Sequence, residues 1–466
     1  MKAFGRSNIS TRLCKLLNLL LMTAVFGLAW YAYYAQYAPT TYFRKGDWLA
    51  IFIYMVLYFF IGKTYDAFQI ALSRISEMIY SQVLTIVVTD GIMYLVTILA
   101  YMHLVNPIFF FLALLSQVLI AIVWSLLVHK WYYKKYPRKR TVVVYDVREG
   151  MENLVKEYGY DVRFDVIRTI HVDECIDHIN LIEDCDVVFL SGIHSHERNV
   201  ILKHCLYNGI DVYVIPRIGD IVMSGAQQKH MFHLPILKVG RYRPPVEYVV
   251  AKRVFDIVLS LVALVVMSPF MLITAIAIKM DGGPVFYKQT RLTTNGKEFK
   301  VLKFRSMRVD AEEDGIARLS TGENDDRITP VGKIIRKIRF DELPQLFNVL
   351  KGDMSIVGPR PERPEIAAEY EREMPEFQLR LQVKAGLTGY AQVYGKYNTA
   401  PYDKLQMDLM YIASASIVED IKICFATVKI LFSKESTEGI EEGQTTAIDY
   451  EIVEDPTETE HELVTK

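Results

Sequence analysis

The stretch from Phe340 to Glu365, FDELPQLFNVLKGDMSIVGPRPERPE, gathers the residue types most able to do chemistry. An acid pair, Asp341-Glu342, opens a short amphipathic segment, and a stiff Pro359-Arg360-Pro361 turn follows. Just upstream, DDRITPVGKIIRKIR (Asp325 to Arg339) has the pattern of a basic amphipathic helix resting on an anionic membrane surface. Two adjacent carboxylates beside arginines and lysines suit phosphoryl chemistry with a bound divalent metal. One carboxylate can serve as nucleophile and the other as acid/base or metal partner. Hard carboxylate and phosphate oxygens suit Mg2+, so Asp341 and Glu342 are the expected metal site. An Asp before ELPQLF is also a good helix N-cap, and a helix start favours phosphate as well. Gln345 follows the pair by one turn and shares its face. The planar guanidinium of Arg360 fits phosphate oxygens; its structural alternative is bracing the turn.

With GGPVFYKQTR (Gly282 to Arg291), KFRSMRVDAE (Lys303 to Glu312) and GLTGYAQVYG (Gly386 to Gly395), this stretch resembles the catalytic core of the bacterial sugar transferases, the monotopic phosphoglycosyl transferases. The resemblance covers roughly residues 250 to 433, in separated blocks that keep their order. What precedes it resembles the large subfamily that begins exopolysaccharide, capsule or O-antigen assembly. The resemblance implies transfer of a hexose-1-phosphate from a UDP-sugar to undecaprenyl phosphate, with release of UMP. It assigns Asp341 the attack that gives a covalent phosphosugar intermediate, and Glu342 the support of metal or proton transfer. It also makes Lys303, Arg305 and Asp310 substrate- or phosphate-binding candidates, although such residues alone more often form surface ion pairs. A lipid bilayer and association into a homo-oligomer are further implied partners. The chain departs from the family at Tyr390 and Tyr394, where many relatives carry Trp and Asn, so that loop stays outside the catalytic set. Arg339 likewise stands where relatives often place a small polar residue.

The elements that must position this chemistry begin in the membrane. Four apolar runs precede residue 130: Leu13 to Ala35, Trp48 to Ile61, Val83 to His103 and Pro107 to Val128. Each is near the ~20 residues of a span, the second being short. The first follows Lys2, Arg6, Arg12 and Lys15 as a signal peptide would, but its length and its closing Trp30, Tyr31, Tyr33 and Tyr34 read as a retained span. The basic N-terminus and HKWYYKKYPRKR (His129 to Arg140) place both ends of this bundle in the cytoplasm. A fifth run, Val254 to Ile278, has Lys252 and Arg253 before it, Lys279 after it and Ser268-Pro269 inside it. Proline removes a backbone donor and bends a helix, so a re-entrant helix with both ends cytosolic is expected, as in the family. A proline-kinked fifth span is the alternative.

From Thr141 to about Pro216, TVVVYDV, DVRFDVI, CDVVFLSG and DVYVIP read as buried parallel strands of a doubly wound α/β unit. The turn after the first strand holds only Gly150, where a dinucleotide site would want several glycines. His194, His196, His230 and His233 lack a convincing further ligand and read as exposed loop residues. The formal net charge of -1 excludes a general nucleic-acid binder, and five cysteines without a CxxC pair argue against a disulfide framework or zinc site.

The expected architecture is thus a membrane α-helical N-terminal bundle (1–128) and a cytosolic Rossmann-like α/β domain with linker (129–245). A mostly α-helical monotopic catalytic domain (246–433) follows, with its re-entrant helix at 254–280, and then an acidic tail (434–466). Location is the bacterial inner membrane, multi-pass, with the catalytic domain cytoplasmic. Two other functional readings stand beside the transferase. One is a non-catalytic scaffold of the polysaccharide machinery, against which intact Asp341, Glu342, Lys303 and Arg360 speak. The other is an NAD-dependent sugar-nucleotide enzyme, weakened by the missing glycines.

Overall fold

The computed structural model describes residues 4–37, 46–71, 74–309, 327–395 and 399–431. The chain is mostly helical and divides into two compact units, Met1–Ile215 and Pro216–Lys466. Five of its helices are long and apolar enough to cross a membrane.

Four of these lie in the first unit: Phe4–Ala29, Gly46–Thr64, Ile75–Tyr101 and Ile108–Lys135. Their outer faces expose Leu20, Phe52, Leu99, Phe111 and Leu119, whereas their inner faces bury polar groups. Gln117 donates to the Tyr54 hydroxyl at 2.8 Å, and the Tyr58 hydroxyl donates to Asn18 at 3.0 Å. Apolar outside and hydrogen-bonded inside is the arrangement that lipid imposes on packed helices.

The same unit carries a parallel sheet of β1 (Lys139–Tyr145), β2 (Phe164–His171), β3 (Val187–Ser191) and β4 (Asp211–Val214), in the order β2-β1-β3-β4. Val142, Val144, Val188 and Leu190 are buried in its core, as the β-branched runs predict. His194 caps helix Ser195–Asn208 and lies 3.6 Å from Asp146, whereas His230 and His233 are exposed on a hairpin of the second unit.

Residues 216–245, which the sequence reading joins to the middle domain, fall in the second unit. Ile221 on helix Ile218–Ser224 is buried with Leu405, Leu409 and Ile412, and Gln406 donates to the Pro216 carbonyl at 2.6 Å. Two helices, Pro401–Ser414 and Ile417–Leu431, close the described part of this unit, and the acidic tail lies outside the described residues.

The fifth apolar helix runs from Val246 to Met280, with Pro269 inside it and no interruption of helical assignment at Ser268-Pro269. Most of its apolar residues are exposed, among them Val258, Val262, Val266, Phe270 and Ile273. Several of its polar residues before Pro269 turn inward. Asp256 is buried and accepts from the Ser355 hydroxyl at 2.8 Å and from the Ile356 amide at 3.0 Å. Arg253 donates to the carbonyls of Val349 and Leu350 at 2.7 Å each, capping helix Gln345–Lys351 with positive charge. Lys252 meets the fully buried Asp420 at 2.9 Å, which also accepts from the Tyr411 hydroxyl at 2.7 Å. Beyond the proline, Met271, Ala275 and Ile278 pack with Phe304, Ile335 and Phe340. Both halves of this helix therefore dock on the same compact unit.

Removing the Asp256 carboxylate leaves a buried hydroxyl and a buried amide without their acceptor. Asp256→Ala is expected to destabilise the protein by about 2–3 kcal/mol, read as a lowered Tm of the detergent-held protein.

Candidate active site

Helix Pro330–Lys337 leads into the site. Thr329 begins it by accepting from the Gly332 amide at 3.0 Å, with Pro330 at the first turn. Ile338 caps this helix, and Arg339, whose left-handed backbone (φ 53°) turns the chain sharply, opens a 3-10 turn, Phe340–Glu342. The acid pair sits on this turn. Helix Gln345–Lys351 starts only after Pro344, so Asp341 is not its N-cap as the sequence alone would allow.

Opposite the turn, strands Phe286–Leu292 and Glu298–Phe304 form an antiparallel hairpin that carries Lys303 near its end. The buried Asn348 joins this hairpin to the acid pair's own segment. Its amide donates to the Lys300 carbonyl at 2.9 Å and accepts from the Leu302 amide at 2.9 Å, as a neighbouring strand would. Lys303 Nζ reaches Glu342 Oε1 at 2.9 Å, and Arg360 Nη2 reaches the same oxygen at 2.9 Å. Glu342 is thus held from two sides.

The Arg360 turn is tied down along its backbone. The Pro359 carbonyl accepts from the Gly386 amide at 2.8 Å and the Arg360 carbonyl from Arg380 at 2.9 Å. The Pro361 carbonyl accepts from Arg291 at 3.1 Å, and the Glu362 carbonyl from the Leu292 amide at 3.0 Å. Behind the turn, GLTGYAQVYG supplies a strand, Gly386–Thr388, paired in parallel with Ser355–Val357. A Cβ on Gly386 would collide with the Gly358 amide, and one on Gly389 with the Gly358 carbonyl. The glycines of this loop therefore serve a close backbone crossing.

Electrostatics separate the two acids. Burial alone would raise the Glu342 carboxyl, but Arg360, Lys303 and Arg339 outweigh it and hold the group well below the usual carboxylate range. Burial pushes the Asp341 carboxyl up, opposed by Lys303 and reinforced by the Glu342 charge. Among the described residues none hydrogen-bonds or ion-pairs with the Asp341 carboxylate. Arg336 adds positive charge beside it, and its Nη1 is buried without a hydrogen-bond partner among the described residues.

No group of three His, Cys, Asp or Glu among the described residues could hold a metal ion alone. What the site offers is a carboxylate without hydrogen bonds among the described residues, beside one already bearing two cations. That suits an ion such as Mg2+, which keeps several waters and binds through one or two carboxylates and substrate phosphates.

Of the sequence candidates, the structure brings Asp341, Glu342, Lys303 and Arg360 together. Gln345 is buried at the start of its helix, behind the pair. Arg305 is turned away as a phosphate ligand: it is buried and donates to the carbonyls of Ile278 and Gly282 at the end of the long helix. It lies just past the strand's end at Phe304, so the two-residue alternation that would place it on the face of Lys303 no longer sets its direction. Asp310 lies outside the described residues. Sequence reasoning missed Arg291, Arg336, Asn348, Arg380 and Asp408. Arg291, Arg336 and Asn348 lie inside the quoted blocks, Arg336 one helical turn before Arg339, whereas Arg380 and Asp408 lie outside them.

Replacing Glu342 by Gln leaves Lys303 and Arg360 facing each other without their shared anion, and is expected to cost about 2 kcal/mol. Because the folded pKa of Glu342 lies below the unfolded value of about 4.3, its stabilisation is complete above that pH. It is lost as pH falls through the folded value. Wild type and Glu342→Gln should therefore converge in Tm on acidification and stay apart at neutral pH.

Residues 247–434 match the family model described as bacterial sugar transferase. The chain is 37% identical over 236 residues to a UDP-N-acetylgalactosamine-undecaprenyl-phosphate N-acetylgalactosaminephosphotransferase of Aeromonas hydrophila, covering 50% of this chain and 55% of that protein. It is 36% identical over 273 residues to a UDP-glucose:undecaprenyl-phosphate glucose-1-phosphate transferase of Xanthomonas campestris pv. campestris, covering 56% of each. It is 46% identical over 191 residues to the exopolysaccharide production protein PSS of Rhizobium leguminosarum bv. phaseoli, covering 38% of this chain and 94% of that protein. The chain spans little more than half the length of the first two relatives. With a match that takes in nearly all of the third, this chain belongs to the bacterial sugar transferase family.

Proposed function

We propose that the protein transfers a hexose-1-phosphate from a UDP-sugar to undecaprenyl phosphate, the first step in building a surface polysaccharide such as exopolysaccharide, capsule or O-antigen. The observation that carries this reading is the division of labour in the acid pair. Glu342 is fixed by Lys303 and Arg360, while Asp341 has no hydrogen-bond partner among the described residues. In the first half-reaction an Asp341 oxygen attacks the β-phosphorus of the donor. The bond from that phosphorus to the bridging oxygen breaks, and UMP leaves with the electron pair. In the second, an oxygen of the lipid phosphate attacks the same phosphorus and expels the Asp341 carboxylate, leaving a lipid diphosphate-sugar. Lys303, Arg336 and Arg360 offset the repulsion between anionic reactants. Asp341, beside Glu342, would hold Mg2+, which when bound supplies further charge neutralisation at the phosphates.

The middle sheet, with helices between its strands, is read as a doubly wound module without a dinucleotide site. The long helix is read as re-entrant, with the catalytic unit on the cytoplasmic side of the inner membrane. Support comes from its polar anchors Arg253 and Asp256 before Pro269, and from Met271, Ala275 and Ile278 packed on the same unit after it. A straight span would carry its two ends to opposite faces. Cysteines placed at Glu247 and at Asp281 in a cysteine-free background should both react with an impermeant thiol reagent in inverted vesicles and neither in intact spheroplasts. Labelling of one from each side would establish a through-going span instead.

UMP release by the nanodisc-held protein, given undecaprenyl phosphate, Mg2+ and a panel of UDP-sugars, tests the activity. One sugar should support release, with loss on chelation and a drop of about 10³-fold or more in Asp341→Asn. Silence across the panel from folded protein would contradict the proposal. Asp341 attacks as a carboxylate, and its pKa is raised, so kcat/KM should fall as pH drops through a value above the ~3.9 of ordinary aspartate. Lys303 is the foremost charge opposing that shift. Lys303→Met should therefore move the acid limb to higher pH, besides lowering the plateau about 10²-fold.

A further inference from the structure

Beneath the Pro359-Arg360-Pro361 turn lies a cluster of charged residues that no step above uses. Arg380, on the 3-10 segment Pro375–Gln382, is buried, and its guanidinium lies over the Phe377 ring at 4.8 Å. Its Nη2 donates to the Arg360 carbonyl at 2.9 Å and meets Asp408 Oδ2 at 2.8 Å. Asp408, on helix Pro401–Ser414, is 1% exposed and pairs with Arg380 as a buried ion pair. Glu362 stands 3.8 Å from Arg380 on one oxygen and 3.8 Å from Arg291 on the other. Lys404, one turn before Asp408, adds a cation to the same group.

We infer that Arg380, held by Asp408, is a positioning residue that sets Arg360 at Glu342 and so maintains the reactive geometry of the acid pair. The inference rests on the transferase reading of that pair. The physical chain is short and continuous. Asp408 holds the guanidinium of Arg380, Arg380 holds the backbone of Arg360, and Arg360 holds Glu342 Oε1 at 2.9 Å. Four successive carbonyls, Pro359 to Glu362, each accept a hydrogen bond, and the one belonging to the functional arginine takes its donor from this pair. The side chain of Arg360 is 43% exposed, so packing alone does not fix it, and its backbone and Glu342 are among what directs it. Burial raises the Asp408 pKa to about 6 against the pull of Arg380. A fold that only needed to fill this space would do so at lower cost with an apolar pair.

The test uses wild type, Asp408→Asn, Arg360→Ala and the double variant, each full length in nanodiscs. Two readouts are taken: kcat and KM for UMP release, and the rise in Tm on adding inorganic pyrophosphate with Mg2+, which does not depend on turnover. Asp408→Asn is expected to lower kcat about tenfold or more with KM changed less than threefold, and to lose most of the pyrophosphate shift. In the Arg360→Ala background it should cost no more than twofold further, because the residue it acts through is gone. Arg380→Lys is the second variant, should Asp408→Asn not fold. It keeps the charge but not the fork that spans carboxylate and carbonyl, and should show the same kcat loss. An unchanged kcat, or losses that multiply in the double variant, would overturn the positioning role. So would a wild-type pyrophosphate shift in Asp408→Asn. Absence of UMP release from wild type would count against the transferase reading, and the pyrophosphate shifts would still decide the positioning role.

Discussion

The site depends on one oxygen atom. Glu342 Oε1 receives both Lys303 and Arg360 at 2.9 Å, and these come from separate parts of the chain, a hairpin strand and a proline-bounded turn. A half-buried carboxylate that collects two cations stays ionised, and it fixes where both cations stand. Its neighbour is then left with the opposite problem. Asp341 is half-buried beside that negative charge, with cations near it but no hydrogen bond among the described residues. An acid in that position is poorly solvated and accessible to an electrophilic phosphorus, which is what a nucleophile requires.

The same constraint explains why so much buried polarity surrounds so small a site. Asn348 fixes the hairpin to the acid pair's segment, and Arg291 and Arg380 fix the turn. Arg253 and Asp256 fix the long apolar helix to helix Gln345–Lys351 and to strand Ser355–Val357. That helix exposes apolar side chains along most of its length yet carries its polar anchors inward. These contacts join the long apolar element directly to the segment that carries the acid pair.

What the sequence made legible follows from the kind of signal each residue gives. Asp341, Glu342, Lys303 and Arg360 lie within dense local patterns, and the structure gathers them. The long apolar helices were visible by length and composition, and the parallel strands by β-branched runs. Arg305 misled because charge two residues from Lys303 looks equivalent on paper, whereas here it closes the carbonyl end of the long helix. Gln345 shares a helical turn with the pair in sequence, but the 3-10 turn and Pro344 separate them and leave it buried. Arg380 and Asp408 sit 28 residues apart in unremarkable surroundings, and only the tertiary fold brings them under Arg360. Asp256 was hidden for a different reason: one acid in an apolar run reads as a blemish until its partners Ser355 and Ile356 are known.

The central step of the proposed mechanism is covalent transfer of the donor's hexose-phosphate to Asp341. The direct measurement is peptide mass spectrometry of protein incubated with the UDP-sugar that supports UMP release, with undecaprenyl phosphate withheld. The account predicts a hexose-phosphate adduct on the peptide carrying Asp341, discharged when the lipid phosphate is added. Turnover without any adduct at Asp341, under conditions that preserve acyl phosphates, would contradict it.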